Sequence, residues 1–244
     1  MTSEILGKHK NLWDNKPILR SVYLDYYKRI VKQCNHGNAL EVGGGSGNFK
    51  GFYSNKVIST DIVYSPWIDL AADAQLLPFK SDYFSNIVGI DVLHHIEFPN
   101  KFLSESERVL KPGGRIILLE PAITWLSWFF YKFFHSEPLD LNSDPFLATQ
   151  KKDSKRSPFD ANQAIPTILF VKNLELMEQF FPSLKIVKIE HLSFVVYPLS
   201  GGFRKWSLIP EFMINLMLKL EGLIPSFIAK FIGFRLLIVL EKNK

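Results

Sequence analysis

The chain has 244 residues, of which 47% are hydrophobic and 22% charged, with 14 Gly, 14 Pro and no biased tract; this excludes a disordered, collagenous or low-complexity protein and leaves room for one enlarged α/β domain or two small ones. Net charge is +5, from 29 basic and 24 acidic side chains. Cys34 is the single cysteine, which excludes an internal disulfide, a cysteine zinc cage and a CxxC redox pair and fits a reducing, cytoplasmic compartment.

Residues 1–56 carry nine basic and four acidic side chains, residues 57–120 five and nine, and residues 121–244 fifteen and eleven. The middle is acidic and the flanks basic, without the dense Lys/Arg stripe of a nucleic-acid binder. The first residues lack an apolar signal-peptide core. No uncharged apolar stretch reaches the length of about 18 residues needed to span a bilayer.

Residues 17–33 have helical periodicity, with Pro17 in the first turn. Residues 38–43 and 56–61 read as short buried strands, and Gly43 to Phe49 is expected to turn into a helix between them. A weaker strand over 67–72 precedes strong ones over 84–91 and 115–120, which are joined by a helix over 100–110 and a Lys111-Pro112-Gly113-Gly114 turn. Five strands alternating with helices predict a parallel sheet with covering helices. The stretch between Glu120 and the next strand, 185–191, far exceeds the usual connection of about 2 to 6 residues plus one helix, so an insertion is implied. It holds the aromatic run Ala122 to Phe134, a polar stretch to Asp160 and a helical signal over 173–181. A second long connection, with a helical pattern from Pro210 to Ile232 interrupted at Pro225, leads to a closing strand over 235–241.

Chemistry is concentrated in Leu40-Glu41-Val42-Gly43-Gly44-Gly45-Ser46-Gly47, a glycine-rich turn after an apolar strand. Such a turn lets backbone approach a nucleotide closely. The dinucleotide fingerprint starting at Gly43 would need a small residue where Asn48 stands, and the Gly-Lys-Ser/Thr of a Walker loop is absent. The pattern present is acidic-x-Gly-x-Gly-x-Gly, with Glu41, Gly43, Gly45 and Gly47 in place. Ordered features follow: Asp61 ending the second strand, Asp73-Ala74 before Leu77-Pro78-Phe79, Phe84, Asp91, Leu93-His94-His95, and Arg108-Val109-Leu110-Lys111-Pro112-Gly113-Gly114.

Over residues 36–121 this series resembles the class I S-adenosylmethionine-dependent methyltransferases, especially the small-molecule branch that includes ubiquinone and menaquinone biosynthesis enzymes. The resemblance implies a Rossmann-like α/β fold: a seven-stranded sheet with helices on both faces, here with apolar insertions after strands 5 and 6. A single domain over 1–244 is expected, with a core of about 36–121 and 183–244 and a cap of about 122–182. It also implies S-adenosyl-L-methionine as cofactor, with the glycine turn beside its methionine part, Asp61 on the ribose hydroxyls and Asp73 on the adenine amino group; Glu41, Ala74 and Asp91 complete the cofactor set. Vicinal hydroxyls are two donors well met by one carboxylate, which agrees. Asn86 departs from the Asp of many relatives, a difference expected to affect local capping.

Methyl transfer needs a base only where the acceptor must lose a proton, and His95, His94 and His135 are the candidates. The competing reading makes one of the paired histidines a buried structural residue and the other solvent-facing. His135-Ser136-Glu137-Pro138 and Asp140 form a polar cluster inside the first insertion, readable as ligand-facing or as a helix stop. Lys151, Lys152, Lys155 and Arg156 read as a solvated loop, with a phosphate clamp as the alternative. No metal-ligand spacing occurs, so no metal is assigned. An Asn/Asp-Pro-Pro-aromatic motif and a cysteine near the fourth strand are both missing, which disfavours nucleic acid. Because both insertions are apolar and aromatic, the expected acceptor is a small apolar or lipid-linked molecule. The alternatives are a soluble glycan or metabolite, or a non-catalytic cofactor-binding adaptor. The aromatic run is too short to span a bilayer and covers every side of a helix, so it predicts either peripheral contact with the inner face of a membrane or burial against the core or in a homodimer.

Overall fold

A computed structural model describes residues 2–147 and 155–243; Lys151 and Lys152 lie outside the described residues. Two helices lead the chain, α1 (Thr2–Asn15) and α2 (Pro17–Gln33), followed by strands β1 (Ala39–Val42), β2 (Val57–Asp61), β3 (Leu70–Ala71) and β4 (Phe84–Ile90). Then come α3 (Pro99–Val109), β5 (Leu110–Pro121), α4 (Trp125–Phe134), α5 (Ile165–Thr167), a π-helical turn over Ile168–Lys172 and α6 (Leu174–Phe180). The chain closes with β6 (Leu184–Leu192), α7 (Val196–Ser200), α8 (Ile214–Glu221), α9 (Ser226–Ile232) and β7 (Arg235–Lys242).

The seven strands form one sheet in the order β3-β2-β1-β4-β5-β7-β6. β1 to β5 pair in parallel, and β7 runs antiparallel to both β5 and β6. The pleat sorts alternate residues to opposite faces. Ile116, Leu118, Leu236 and Ile238 join the core under α3 and α6, whereas Ile117, Leu119, Leu237 and Val239 join the one under α2. Helices therefore cover both faces, as the sequence implies.

Three differences from the sequence reading have local causes. No α-helix follows the glycine turn; only a 3-10 turn over Phe49–Gly51 forms there. Phe49 is fully buried and the Tyr53 hydroxyl donates to the carbonyls of Asn35 and Gly37, so anchoring contacts fix this short segment before a helix can extend. Second, β5 begins at Leu110 instead of 115, because the Lys-Pro-Gly-Gly segment is absorbed as an irregularity: pairing jumps from Phe84 with Leu110 to Asn86 with Arg115 around Gly113, whose φ is 73°. Third, α1 has no counterpart among the elements read from the sequence. It is fastened by the residue that follows it, Lys16, whose buried ammonium donates to the carbonyls of Ser200, Gly202, Arg204 and Trp206 at 2.6, 2.8, 2.7 and 2.9 Å.

Thr124 and Ser127 cap α4 reciprocally, and Ser127 and Tyr131 turn one face of that helix inward. The aromatic run therefore does have a buried side, while Trp125, Trp128, Phe129, Phe133 and Phe134 stay exposed. Asn86 is buried and bridges the backbone of Asn35 to the Tyr53 hydroxyl.

Candidate active site

A cavity of about 510 Å³ opens at the carboxyl ends of β1, β2, β4 and β5. Its size falls within the roughly 300–1,000 Å³ usual for small-molecule sites. Glu41, Gly43, Gly45, Asp61, Asp73, Ala74, Asp91, His94, His95 and His135 all line it. Of the residues expected to hold cofactor, Gly47 alone is absent from this lining. Gly47 has φ of 69°, and a Cβ there would meet the Trp67 backbone oxygen at 2.9 Å, so its place is set by packing and backbone conformation.

The glycines divide by what a side chain would strike. At Gly43 it would collide with Val92, whereas at Gly45 the nearest protein atom is the Gly43 carbonyl at 3.8 Å, so a side chain would project into the cavity. Asp61 fixes this turn: its Oδ2 accepts from the Gly45 N–H and its Oδ1 from the Val63 N–H, both at 2.9 Å. A carboxylate has about four acceptor positions, so two remain for a diol. Asp73 Oδ1 accepts from the backbone and side chain of Gln75 at 2.9 and 3.0 Å. Glu41 is buried and receives the Ser59 hydroxyl, and burial pushes its carboxyl up to about 7. A glycine cradle that a side chain would fill, a diol-competent carboxylate and further acidic groups fit a cationic nucleoside cofactor.

Asp91 is engaged differently from the sequence expectation. The Arg235 guanidinium grips both of its oxygens at 2.5 Å, and the Tyr23 hydroxyl adds a bond at 3.2 Å. Burial alone would raise the Asp91 carboxyl, but Arg235 holds it below the usual carboxylate range. Arg235 begins β7 and is buried against the Tyr197 ring, 4.4 Å from its centroid. No sequence motif marks Arg235, because its partner is 144 residues away.

The three histidines separate in character. His94 is buried; its Nδ1 is 2.6 Å from Glu120 and its Nε2 is 3.7 Å from Glu137. Burial alone would depress its pKa, but the two carboxylates outweigh this and push it up to about 9, making it an imidazolium at neutral pH. His95 is held low by burial and by the charge of His94. Burial also lowers His135. Of these three, two are neutral and one is cationic; His9, lowered by burial, lines the same cavity.

In the polar cluster of the insertion, His135, Ser136 and Glu137 line the cavity, whereas Asp140 accepts from the Asn142 N–H in a turn outside it. Arg156 also lines the cavity, half-buried, and donates to the His95 carbonyl at 3.0 Å. Glu120, invisible as a site residue in sequence, binds the Val92 and Leu93 N–H groups as well as His94.

Residues 40–118 match a family model described as a methyltransferase domain. The chain is 39% identical over 88 residues to a ubiquinone/menaquinone biosynthesis C-methyltransferase of Pectobacterium atrosepticum, covering 34% of this chain and 33% of that one. It is 43% identical over 56 residues to a demethylmenaquinone methyltransferase of Streptomyces avermitilis, covering 22% and 24%. These matches span about a quarter to a third of the relatives' length. A solved S-adenosylmethionine-dependent methyltransferase of Thermotoga maritima shares the fold, with a TM-score of 0.57 at 14% identity over 99% of this chain and 97% of that one. Residues 40–118 therefore carry the match to a methyltransferase domain, and the fold of the chain is one shared with a solved S-adenosylmethionine-dependent methyltransferase.

Proposed function

We propose that this protein transfers the methyl group of S-adenosylmethionine to a small acceptor that is apolar or lipid-linked. The observation that carries this reading is the composition of the cavity at the carboxyl ends of the strands. Its carboxylates, Glu41, Asp61 and Asp73, come from β1, β2 and the loop after β3, while Tyr23, Phe130, Tyr131, Tyr197, Phe203 and Trp206 come from α2, α4 and the segment after β6. Aromatic walls select an apolar acceptor and the carboxylates select a cationic nucleoside. Residues 122–182 act as the cap over a single domain.

When bound, the sulfonium supplies a methyl group already activated by its positive charge. The chain's own residues then have two tasks. Asp61 accepts the ribose hydroxyls, Asp73 accepts the adenine amino group, and Gly45 leaves room for backbone to approach. The aromatic walls hold the acceptor in line with the methyl; such alignment contributes up to about 7 to 11 kcal/mol without a covalent intermediate. For an enol, phenol or hydroxyl acceptor, His95 or His135 takes the proton, since both are neutral while His94 already carries one.

The acceptor is met at a membrane surface. α4 packs on α9, and the two expose Trp125, Phe129, Phe133, Phe227 and Phe231; Leu216, Leu220 and Leu223, on α8 and the link after it, are exposed too. Lys132, Lys219 and Lys230 are exposed on the same helices, while Glu221 is buried and accepts three backbone N–H groups over Phe194–Val196. This leaves an apolar face with a basic rim, suited to anionic headgroups. Among the described residues, no helix is long and apolar enough to cross a membrane. Phe130 and Tyr131 of α4 line the cavity, so the same helix borders both surface and site.

Incubation with methyl-labelled cofactor and fractionated lipid and aqueous extracts tests the function. A labelled lipid-phase product is expected; label confined to aqueous products would replace the apolar acceptor with a polar one. Flotation with anionic and neutral vesicles tests the surface. Retention with anionic vesicles that is lost on replacing Trp125, Phe129 and Phe133 by Ser supports it, and a stable dimer without vesicle binding overturns it.

A further inference from the structure

We propose that His94, His95 and Glu137 form a binding site for one divalent d-block cation of the zinc type. The donor atoms of these residues lie within 4.8 Å of one another in the wall of the cavity. His94 Nε2 and Glu137 Oε2 are 3.7 Å apart, too far for a hydrogen bond and close to the separation of two ligands bridged by an ion. Donors about 2.1 Å from a tetrahedral metal stand roughly 3.4 Å from each other. Closing the set requires His95 to move inward by roughly 1 Å, a shift open to a partly exposed side chain.

The surroundings already have the form that ligating histidines need, in which one ring nitrogen is held by an oxygen acceptor and the other is presented. His94 donates from Nδ1 to Glu120, whose remaining oxygen is held by the Val92 and Leu93 N–H groups. His95 Nδ1 lies 3.3 Å from the Asp160 carbonyl. Glu137 is oriented by the Gln163 side-chain amide. Two imidazoles and a carboxylate with an open side suit zinc or another divalent d-block ion and leave a position facing the cavity for an oxygen of the acceptor. The two carboxylates flanking His94 favour positive charge at this point, and the cation takes the place between Nε2 and Glu137. With the cation bound, His95 is a ligand and proton acceptance falls to His135. The sequence hides the site because Glu137 comes from the insertion, far from the paired histidines.

Metal binding is tested on the full chain without cofactor or acceptor, so its failure leaves the methyl-transfer reading standing. After chelator treatment, Zn²⁺ is titrated in competition with a chromophoric chelator, and Co²⁺ is followed by its visible absorption. One equivalent is expected for the unaltered protein, with at least tenfold weaker binding in the Glu137→Gln and His95→Asn variants. S-adenosylmethionine affinity measured on the same variants reports whether they are folded, and Glu137→Gln, on a partly exposed side chain, is the safer of the two. The absence of a stoichiometric site, or unchanged affinity in folded variants, would overturn the assignment.

Discussion

Glu120 lies 2.6 Å from His94 and closes the β4–α3 connection by also accepting the Val92 and Leu93 N–H groups at 2.9 Å each. The carboxylate is fully buried, so every one of these bonds is made away from water. Removing one partner of a buried ion pair costs about 3–5 kcal/mol, because the other charge is left without compensation. Glu120→Ala is therefore expected to lower unfolding stability by that amount in urea titrations. Glu120→Gln, which keeps an acceptor for the backbone, should lose less. Equal losses in the two variants would refute the charge argument.

Cofactor binding should depend on Asp61 more than on any glycine except Gly45. Asp61→Ala removes the acceptor proposed for the ribose and also frees the Gly45 and Val63 N–H groups. At roughly 1.5–3 kcal/mol for each charged hydrogen bond, affinity should fall at least tenfold by calorimetry. Gly45→Val should abolish binding in a folded protein, since the new side chain enters the cavity from a backbone with φ of 50°. Unchanged affinity in Asp61→Ala would sink the ribose assignment.

Glu41 makes stability depend on pH in a stated direction. Its folded pKa is about 7, above the ordinary value of 4.5, so the native state binds the proton more tightly than the unfolded chain. Burial therefore costs nothing below the unfolded pKa, and the cost grows as pH rises towards 7 and is complete above it. At 1.36 kcal/mol per unit, the full cost is about 3 kcal/mol. Glu41→Gln keeps an acceptor for Ser59 and avoids ionisation. Its stability gain over the unaltered protein should be near zero at pH 4 and largest at pH 8, read from urea midpoints. A gain that is flat across this range would contradict the assigned burial cost.

The parallel core was legible because its signals are local: apolar strands, glycine turns and a proline-started helix at 17–33 all lie where the sequence places them. The missing helix after Gly47 was not, since Phe49 and Tyr53 are fixed by partners that only the tertiary structure supplies. The site divides in the same way. Glu41, Gly45, Asp61 and Asp73 follow a contiguous pattern, whereas Glu120, Arg235 and Lys16 act through contacts distant in sequence. Asp91, expected in the cofactor set, lines the cavity, but its ion pair could not be read without β7 beside it.

His95 should matter for turnover without governing cofactor affinity. It lines the cavity as a neutral imidazole, and its ring makes a 3.3 Å contact to the Asp160 carbonyl and packs on the His94 ring, contacts whose loss leaves the fold largely intact. In metal-free protein, and for an acceptor that must lose a proton, His95→Ala is expected to slow turnover by about 10² to 10⁴. His135→Ala is the companion measurement. Full activity in both variants would show that neither His95 nor His135 takes the proton and would leave His9, which also lines the cavity.

Asp91 and Arg235 should behave as one unit. Arg235 is buried, reaches Asp91 through both terminal nitrogens and stacks on Tyr197, and its Nε has no hydrogen-bond partner among the described residues. Asp91 has φ of 55°, a conformation that asparagine also tolerates, so Asp91→Asn removes charge with little backbone strain. Asp91→Asn leaves the buried Arg235 charge without its partner and should cost about 3–5 kcal/mol, whereas Arg235→Met leaves the partly exposed Asp91 and should cost less. The double variant removes both charges and should recover much of that loss, because two desolvated ions are replaced by neutral groups. A double-mutant cycle in urea measures the coupling directly. Losses that simply add, with no coupling, would show that the pair contributes nothing to holding β7 against the end of β4.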